Sequence, residues 1–163
     1  METNNGLPET VQRVAELLKT FGHDKGVVIL NTTGKTSHEA AVALGCNLEE
    51  IAKSIVFRRL SDNAAVMVVA SGLNKIDENK VAKIVGGNIA KANAKFVKEN
   101  IGYAIGGVCP IGHAKPSIVL IDKGLLELDS VWAAAGHPHA VFNLTPSQLV
   151  AMTVAPIVDV ALS

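Results

Sequence analysis

The segment Gly106-Gly107-Val108-Cys109-Pro110-Ile111-Gly112-His113 sets three glycines and a proline behind the apolar residues Tyr103-Ala104-Ile105. Glycine carries no Cβ, so the backbone here can approach a ligand closely and present its N–H groups to it. Donors aimed at developing negative charge are what acyl-transfer chemistry requires. The segment is no P-loop, because no Gly-Lys-Ser/Thr follows, and it lacks GxGxxG. On the residues alone, a structural loop and a functional loop are both open. Lys53 is the second candidate. It stands between Ile51-Ala52 and Ser54-Ile55-Val56-Phe57, among residues that expect burial. A lysine there must snorkel to water, pair with a carboxylate, or face a cleft and meet an anion.

His137-Pro138-His139, together with His113, invites a metal. Two histidines one residue apart on a strand would share a face, but Pro138 makes this a turn. Neither a third ligand nor a carboxylate partner stands at a convincing spacing, so no metal and no cofactor is expected. Cys109 lies near His113 without a recognisable third orienting residue, and reads as packing or pocket lining, with a nucleophile as the remaining alternative. Cys46 and Cys109 lie far apart and outside any CxxC pair, which reads as two reduced thiols.

Helices and strands must position these groups. Val11, Val14, Leu17, Leu18 and Phe21 recur at helical spacing and predict a helix over Pro8–Phe21, stopped by Gly22. Val27–Leu30 is a short β-branched run. Thr36-Ser37-His38-Glu39 is a capping box opening a helix through Leu44, closed by Gly45. Asn47-Leu48-Glu49-Glu50 is a capped turn that delivers Ile51-Ala52-Lys53 into a strand over Ser54–Arg58. Ala65–Ala70 is a buried strand. Helices are predicted over Asp77–Val85 and Asn93–Asn100, ended by Gly86-Gly87 and Gly102. Tyr103–Ile105 is expected to start a strand, and Ser117–Ile121 and Ser130–Ala135 to form two more. Gly136-His137-Pro138-His139 turns the chain into a strand over Ala140–Leu144. Thr145-Pro146-Ser147-Gln148 caps a last helix, and Ile157–Val160 closes the pattern. The irregular alternation, with hairpin-like pairs in the second half, predicts a mixed sheet with helices around it and not a doubly wound parallel sheet.

The chain has 163 residues, 48% of them hydrophobic and 18% charged, the proportions of one globular domain. Its mean hydropathy is +0.31, yet no apolar run is long enough to span a bilayer, so no membrane partner is expected. Met1-Glu2-Thr3-Asn4-Asn5 has no basic region leading into an apolar core and does not read as a secretory signal, which makes the cytoplasm the expected location. Lys+Arg and Asp+Glu both total 15, so net charge argues for no particular partner. Distribution says more. Between Asn74 and Asn100, six lysines (75, 80, 83, 91, 95, 98) face Asp77, Glu78 and Glu99. From Pro116 onward, Asp122, Glu127, Asp129 and Asp159 face Lys123. Such a split can steer a polyanion to one side. The plainer reading of those lysines is solvated helix faces.

Three groups of residues then resemble, in this order, the YbaK and prolyl-tRNA synthetase editing-domain family. They are Ala40 through Phe57 with Lys53 inside it, Gly102 through His113, and Ile121-Asp122 with Trp132-Ala133-Ala134-Ala135-Gly136. The likeness runs from roughly Thr36 to the C-terminus. It implies an α/β fold of the mixed α+β kind, a single domain over 1–163 with a strongly curved mixed sheet surrounded by helices. It also implies a trans-editing deacylase that clears misacylated tRNA, often tRNA for proline, with the acceptor end of aminoacyl-tRNA as partner and a synthetase as a further one. Lys53 falls on the family's functional lysine, placed to contact the terminal adenosine or its phosphate. Gly106 to Pro110, hence Gly106, Gly107, Val108, Cys109 and Pro110, fall on its GXXXP loop, whose backbone holds the aminoacyl carbonyl. Gly136 falls on the glycine turn lining the same pocket, with His113 and His137 as variable neighbours. Cysteine-specific members carry a serine and an aspartate where this chain has Ala134 and Val141. That implies a more apolar pocket, suited to other small amino acids. A module that binds the same ligand without turnover is the alternative on this fold.

Overall fold

The computed structural model describes residues 6–162, and the reading of Met1–Asn5 lies outside them. Helix α1 (Glu9–Thr20) follows Pro8 at its N-cap and buries Val11, Val14 and Leu18, one apolar stripe at helical spacing. Strand β1 is only Val28–Ile29. Helix α2 (Ser37–Leu44) opens with the expected reciprocal cap. Thr36 Oγ1 accepts from Glu39 N–H at 3.1 Å, the Glu39 carboxylate accepts from Thr36 N–H at 3.2 Å, and Gly45 ends the helix at φ 68°. A single 3-10 turn, Leu48–Glu50, feeds β2 (Ile51–Arg59), which pairs along its length with the fully buried β3 (Ala65–Ser71). Helix α3 (Glu78–Val85) is capped by Asp77, and after β4 (Ile89–Lys91) helix α4 (Ala94–Asn100) is capped by Asn93. Then come β5 (Ile118–Asp122), a 3-10 turn at Lys123–Glu127, the hairpin β6 (Val131–His137) and β7 (Ala140–Leu144), α5 (Pro146–Thr153) and β8 (Ile157–Val158).

The strands form one mixed sheet of eight in the order β1-β7-β6-β2-β3-β5-β8, with β4 joined to β2. Helix α1 packs its valines and Leu18 into a cluster with Ala133, Ala135 and Phe142. A second cluster joins Val81 and Val85 of α3 to Phe57, Val66 and Val68. No helix among the described residues is long and apolar enough to cross a membrane.

One expected element is absent. Tyr103–Ile105 starts no strand, and the chain from Gly102 to Ser117 runs without regular structure. Tyr103 turns inward instead, and its hydroxyl donates to Ile111 O at 2.7 Å across the loop. Gly102, Gly106 and Gly112 hold φ at 94°, 98° and 74°, each of which breaks an extended ladder. Strand β4, conversely, went unpredicted because a short run without alternation carries no periodic signal.

Candidate functional site

Strand β2 has two different neighbours on the edge away from β3. At its start it pairs with β6 through Ile51↔Trp132 and Ala52↔Ala133, and at its end with β4 through Phe57↔Lys91 to Arg59↔Ile89. Between these pairings Lys53, Ser54 and Ile55 have a strand on one side only. Ile51 O accepts from Gly72, and Arg59 N–H donates to Ala64, so odd-numbered residues bond towards β3. By the alternation of a strand, the N–H and C=O of Ser54 face the open fork. A cleft of ≈ 190 Å³ lies at this fork, walled by Lys53, Ser54, Gly106, Val108, Ala134, His137 and Val141, with Lys35, Ser37 and Trp132. A side cavity of ≈ 260 Å³ shares Ser54, Ile105, Gly106 and Val108 with it and runs towards Lys91 and Val97.

The glycine loop closes the fork. A Cβ on Gly107 would stand 2.6 Å from the N and Cα of His137, so only glycine lets the loop lie against the β6 backbone. The N–H of Gly107 donates to Ala104 O at 3.0 Å and is not available to a ligand. The N–H groups of Gly106 and Val108 reach no acceptor among the described residues, and both residues line the cleft. In the glycine loop, then, Gly106 and Val108 and not Gly107 have N–H groups left over for a ligand. Gly106 sits beneath Lys35, whose Cγ would meet an added Cβ at 2.6 Å.

Lys53 is half-buried, and its Nζ donates to Asn74 O at 3.0 Å. Burial first, then the nearby charges of Lys91 and Lys75, hold its pKa below the ordinary 10.5. No carboxylate pairs with it in the described residues. Of the three fates open to this lysine, the structure gives the cleft-facing one, with one proton of the ammonium anchored to a carbonyl.

On the opposite wall, Ala134 and Val141 are direct cross-strand partners of the β6–β7 hairpin and make an apolar floor. Gly136 lies at an irregularity in that pairing, with φ 95°. Its carbonyl accepts from Thr10 Oγ1 at 2.6 Å, and an added Cβ would press on Thr10, so it faces α1 and not the cleft. The irregularity carries the chain on to His137, which does line the cleft. His137 Nδ1 accepts the N–H of His139 at 3.1 Å, which leaves Nε2 as the protonated nitrogen of the neutral ring. His139 Nδ1 lies 3.3 Å from Leu30 O. Among the described residues, no group of three or more His, Cys, Asp or Glu side chains is arranged to hold a metal.

Three sequence candidates lie behind the loop, away from the cleft. Cys109 is fully buried, with burial pushing its thiol up to about 12, which leaves no thiolate at neutral pH. Pro110 and His113 border a groove lined by Leu17, Phe21 and Met152. His113 is a staple, bonded through Nδ1 to Ser117 Oγ at 2.6 Å and through Nε2 to Cys109 O at 2.9 Å. Lys35, Ser37, Ser54 and Trp132 were missed by sequence reasoning, since nothing local marks a residue that meets the loop only across the fork.

Residues 32–152 match the family model described as the aminoacyl-tRNA editing domain. YwhH, an uncharacterised protein of Bacillus subtilis (strain 168), is 33% identical over 129 residues, which cover 79% of this chain and 82% of YwhH. A proline–tRNA ligase of Xanthomonas axonopodis pv. citri (strain 306) is 28% identical over 101 residues, 61% of this chain but 18% of the ligase. A solved structure described as a candidate trans-editing enzyme for prolyl tRNA synthetase superposes with a TM-score of 0.89 at 38% identity, covering 97% of this chain and all of that one.

Proposed function

This chain belongs to the aminoacyl-tRNA editing-domain family, and from that premise we propose that it hydrolyses, in trans, the ester linking a wrong amino acid to tRNA. The single observation that carries the reading is that Lys53, His137 and two loop residues with unbonded N–H groups, Gly106 and Val108, line one cleft. In the proposed reaction the ester carbonyl lies against Gly106 and Val108, whose N–H groups stabilise the oxyanion as water adds; its collapse breaks the bond to the ribose oxygen, which leaves with the proton given up by the water. A donor of this kind lowers the barrier by about 3–4 kcal/mol. Lys53 meets the phosphate or ribose of the terminal adenosine and sets the distance from that anchor to the loop. The Nε2–H of His137 donates to the substrate, since its other nitrogen already accepts from the backbone. An ester is an activated acyl group, so positioning and electrostatics supply the acceleration.

The similarity to part of a proline–tRNA ligase supports tRNA-Pro as the carrier. The Ala134–Val141 floor supports a small uncharged amino acid such as alanine, serine or threonine. Under this reading the protein works in the cytoplasm, where tRNA is charged. A panel of tRNA-Pro species carrying alanine, serine, threonine or cysteine tests it by amino acid release. Release of several small residues is expected, because an apolar pocket discriminates by only about 1–3 kcal/mol per methylene. Exclusive action on the cysteinyl ester would overturn the specificity. Tight binding of every species with no release would favour the ligand-binding module over the enzyme.

A further inference from the structure

The lysine-rich stretch from Asn74 to Asn100 is not uniform once folded. Lys80 pairs with Asp159 at 3.6 Å, and Lys95 with Glu99 at 3.9 Å. Lys75 and Lys91 have no ion pair among the described residues, and both are exposed. Lys75 directly follows Asn74, whose carbonyl holds the Lys53 ammonium. Lys91 borders the side cavity that shares Ser54, Ile105, Gly106 and Val108 with the cleft. Its register opposite Phe57 puts it on the same sheet face as Lys53, two alternations along β2. Lys75 and Lys91 thus flank Lys53 on either side along β2, both charges act on it, and none of the three has an ion pair among the described residues. Their mutual repulsion is unfavourable in the free protein and is relieved by an anion.

We propose that Lys75 and Lys91 extend the Lys53 site into a track for the phosphodiester backbone of the single-stranded RNA end that enters the cleft. The inference rests on the deacylase reading for its substrate and adds residues which that reading does not use. The ester occupies the cleft at Gly106 and Val108, and the phosphates of the nucleotides before it lie along β2 over Lys91, Lys53 and Lys75. Each phosphate neutralised releases bound counterions, so this pairing is written in the salt dependence of binding.

The test uses an uncharged RNA hairpin ending in single-stranded CCA, titrated with wild-type protein and with Lys75→Gln and Lys91→Gln from low to physiological salt. Lys83→Gln and Lys98→Gln serve as charge-matched controls, since these lysines lie on α3 and α4 and, unlike Lys75 and Lys91, are not among the charges that act on Lys53. Each track variant is expected to weaken binding about three- to tenfold at low salt and to flatten the log–log salt slope by about 0.7 for each phosphate no longer neutralised. With aminoacyl-tRNA the same variants raise KM and leave kcat nearly constant, while a phosphate-free aminoacyl-adenosine loses far less. Track variants no weaker than the controls would overturn the proposal, as would equal losses on tRNA and on aminoacyl-adenosine. Wild-type protein that releases no amino acid refutes the deacylase reading alone. Hairpin binding with the flattened slopes then still supports the track, and absence of hairpin binding at low salt overturns it.

Discussion

At the scale of single residues, Lys53 and His113 carry opposite lessons. Both are partly buried bases whose surroundings disfavour the charged form, yet one lies in the cleft and the other behind the loop. A charge-assisted hydrogen bond from Lys53 to a phosphate or ribose is worth about 1.5–3 kcal/mol. Lys53→Ala is therefore expected to slow deacylation about tenfold to a hundredfold with the fold kept, and Lys53→Arg to restore part of the rate. A folded Lys53→Ala protein turning over at the wild-type rate would remove Lys53 from the site. His113 acts on stability. Burial lowers its pKa below the ordinary 6.5, so at slightly acidic pH the unfolded chain binds the proton more readily than the folded one. The stability that neutral His113 contributes is present above 6.5 and declines as pH falls through that value. Denaturation midpoints at about pH 7.5 and 5.5 should draw together in His113→Gln relative to wild type. An unchanged gap would show that other groups set the acid limb.

Among the elements, the glycine loop and the β6–β7 hairpin depend on each other. The loop lies flat only because Gly107 leaves room for the His137 backbone, and backbone atoms cannot swing aside as a side chain can. Gly107→Ala is expected to cost about 1–3 kcal/mol of stability, a fall in Tm of about 3–10 °C for a chain of this size, and to abolish the cleft geometry. Gly106→Ala meets only the flexible stem of Lys35, but must hold an L-residue at φ 98°. It should lose activity out of proportion to stability, because the strained residue is itself a proposed oxyanion donor. Thermal melts beside single-turnover rates separate the two. A Gly107→Ala protein with wild-type Tm and rate would contradict the close packing of loop on strand.

For the molecule as a whole, the site depends on the sheet's fork more than on any motif. His137, His139 and His113 each have a ring nitrogen within hydrogen-bond range of a protein atom, and among the described residues they form no metal-holding group with a carboxylate. Deacylation is therefore expected to survive exhaustive chelation, as measured by release from mischarged tRNA in excess chelator. Activity lost there and restored by zinc would bring the histidines back as ligands.

The sequence by itself determined the local structure. Thr36 and Glu39, Asp77, Asn93, and Thr145 with Gln148 start helices where their side chains bond the first free N–H groups, a matter of three residues. The buried β3 and most of β6 were legible for the same reason, since a short apolar run lies along the chain. The resemblance picked out Lys53 and the glycine loop as members of a site. Their tertiary surroundings decided the rest. The loop that reads as the end of a strand is held open by Tyr103 reaching Ile111, and the gap beside Lys53 exists because β6 and β4 stop short of each other along β2. Which glycine N–H is left unbonded, which histidine faces the cleft, and which lysines of a charged run stand unpaired beside Lys53 are set by meetings between segments distant in sequence. No local propensity encodes them, because each depends on the distance between atoms that only the packed sheet brings together.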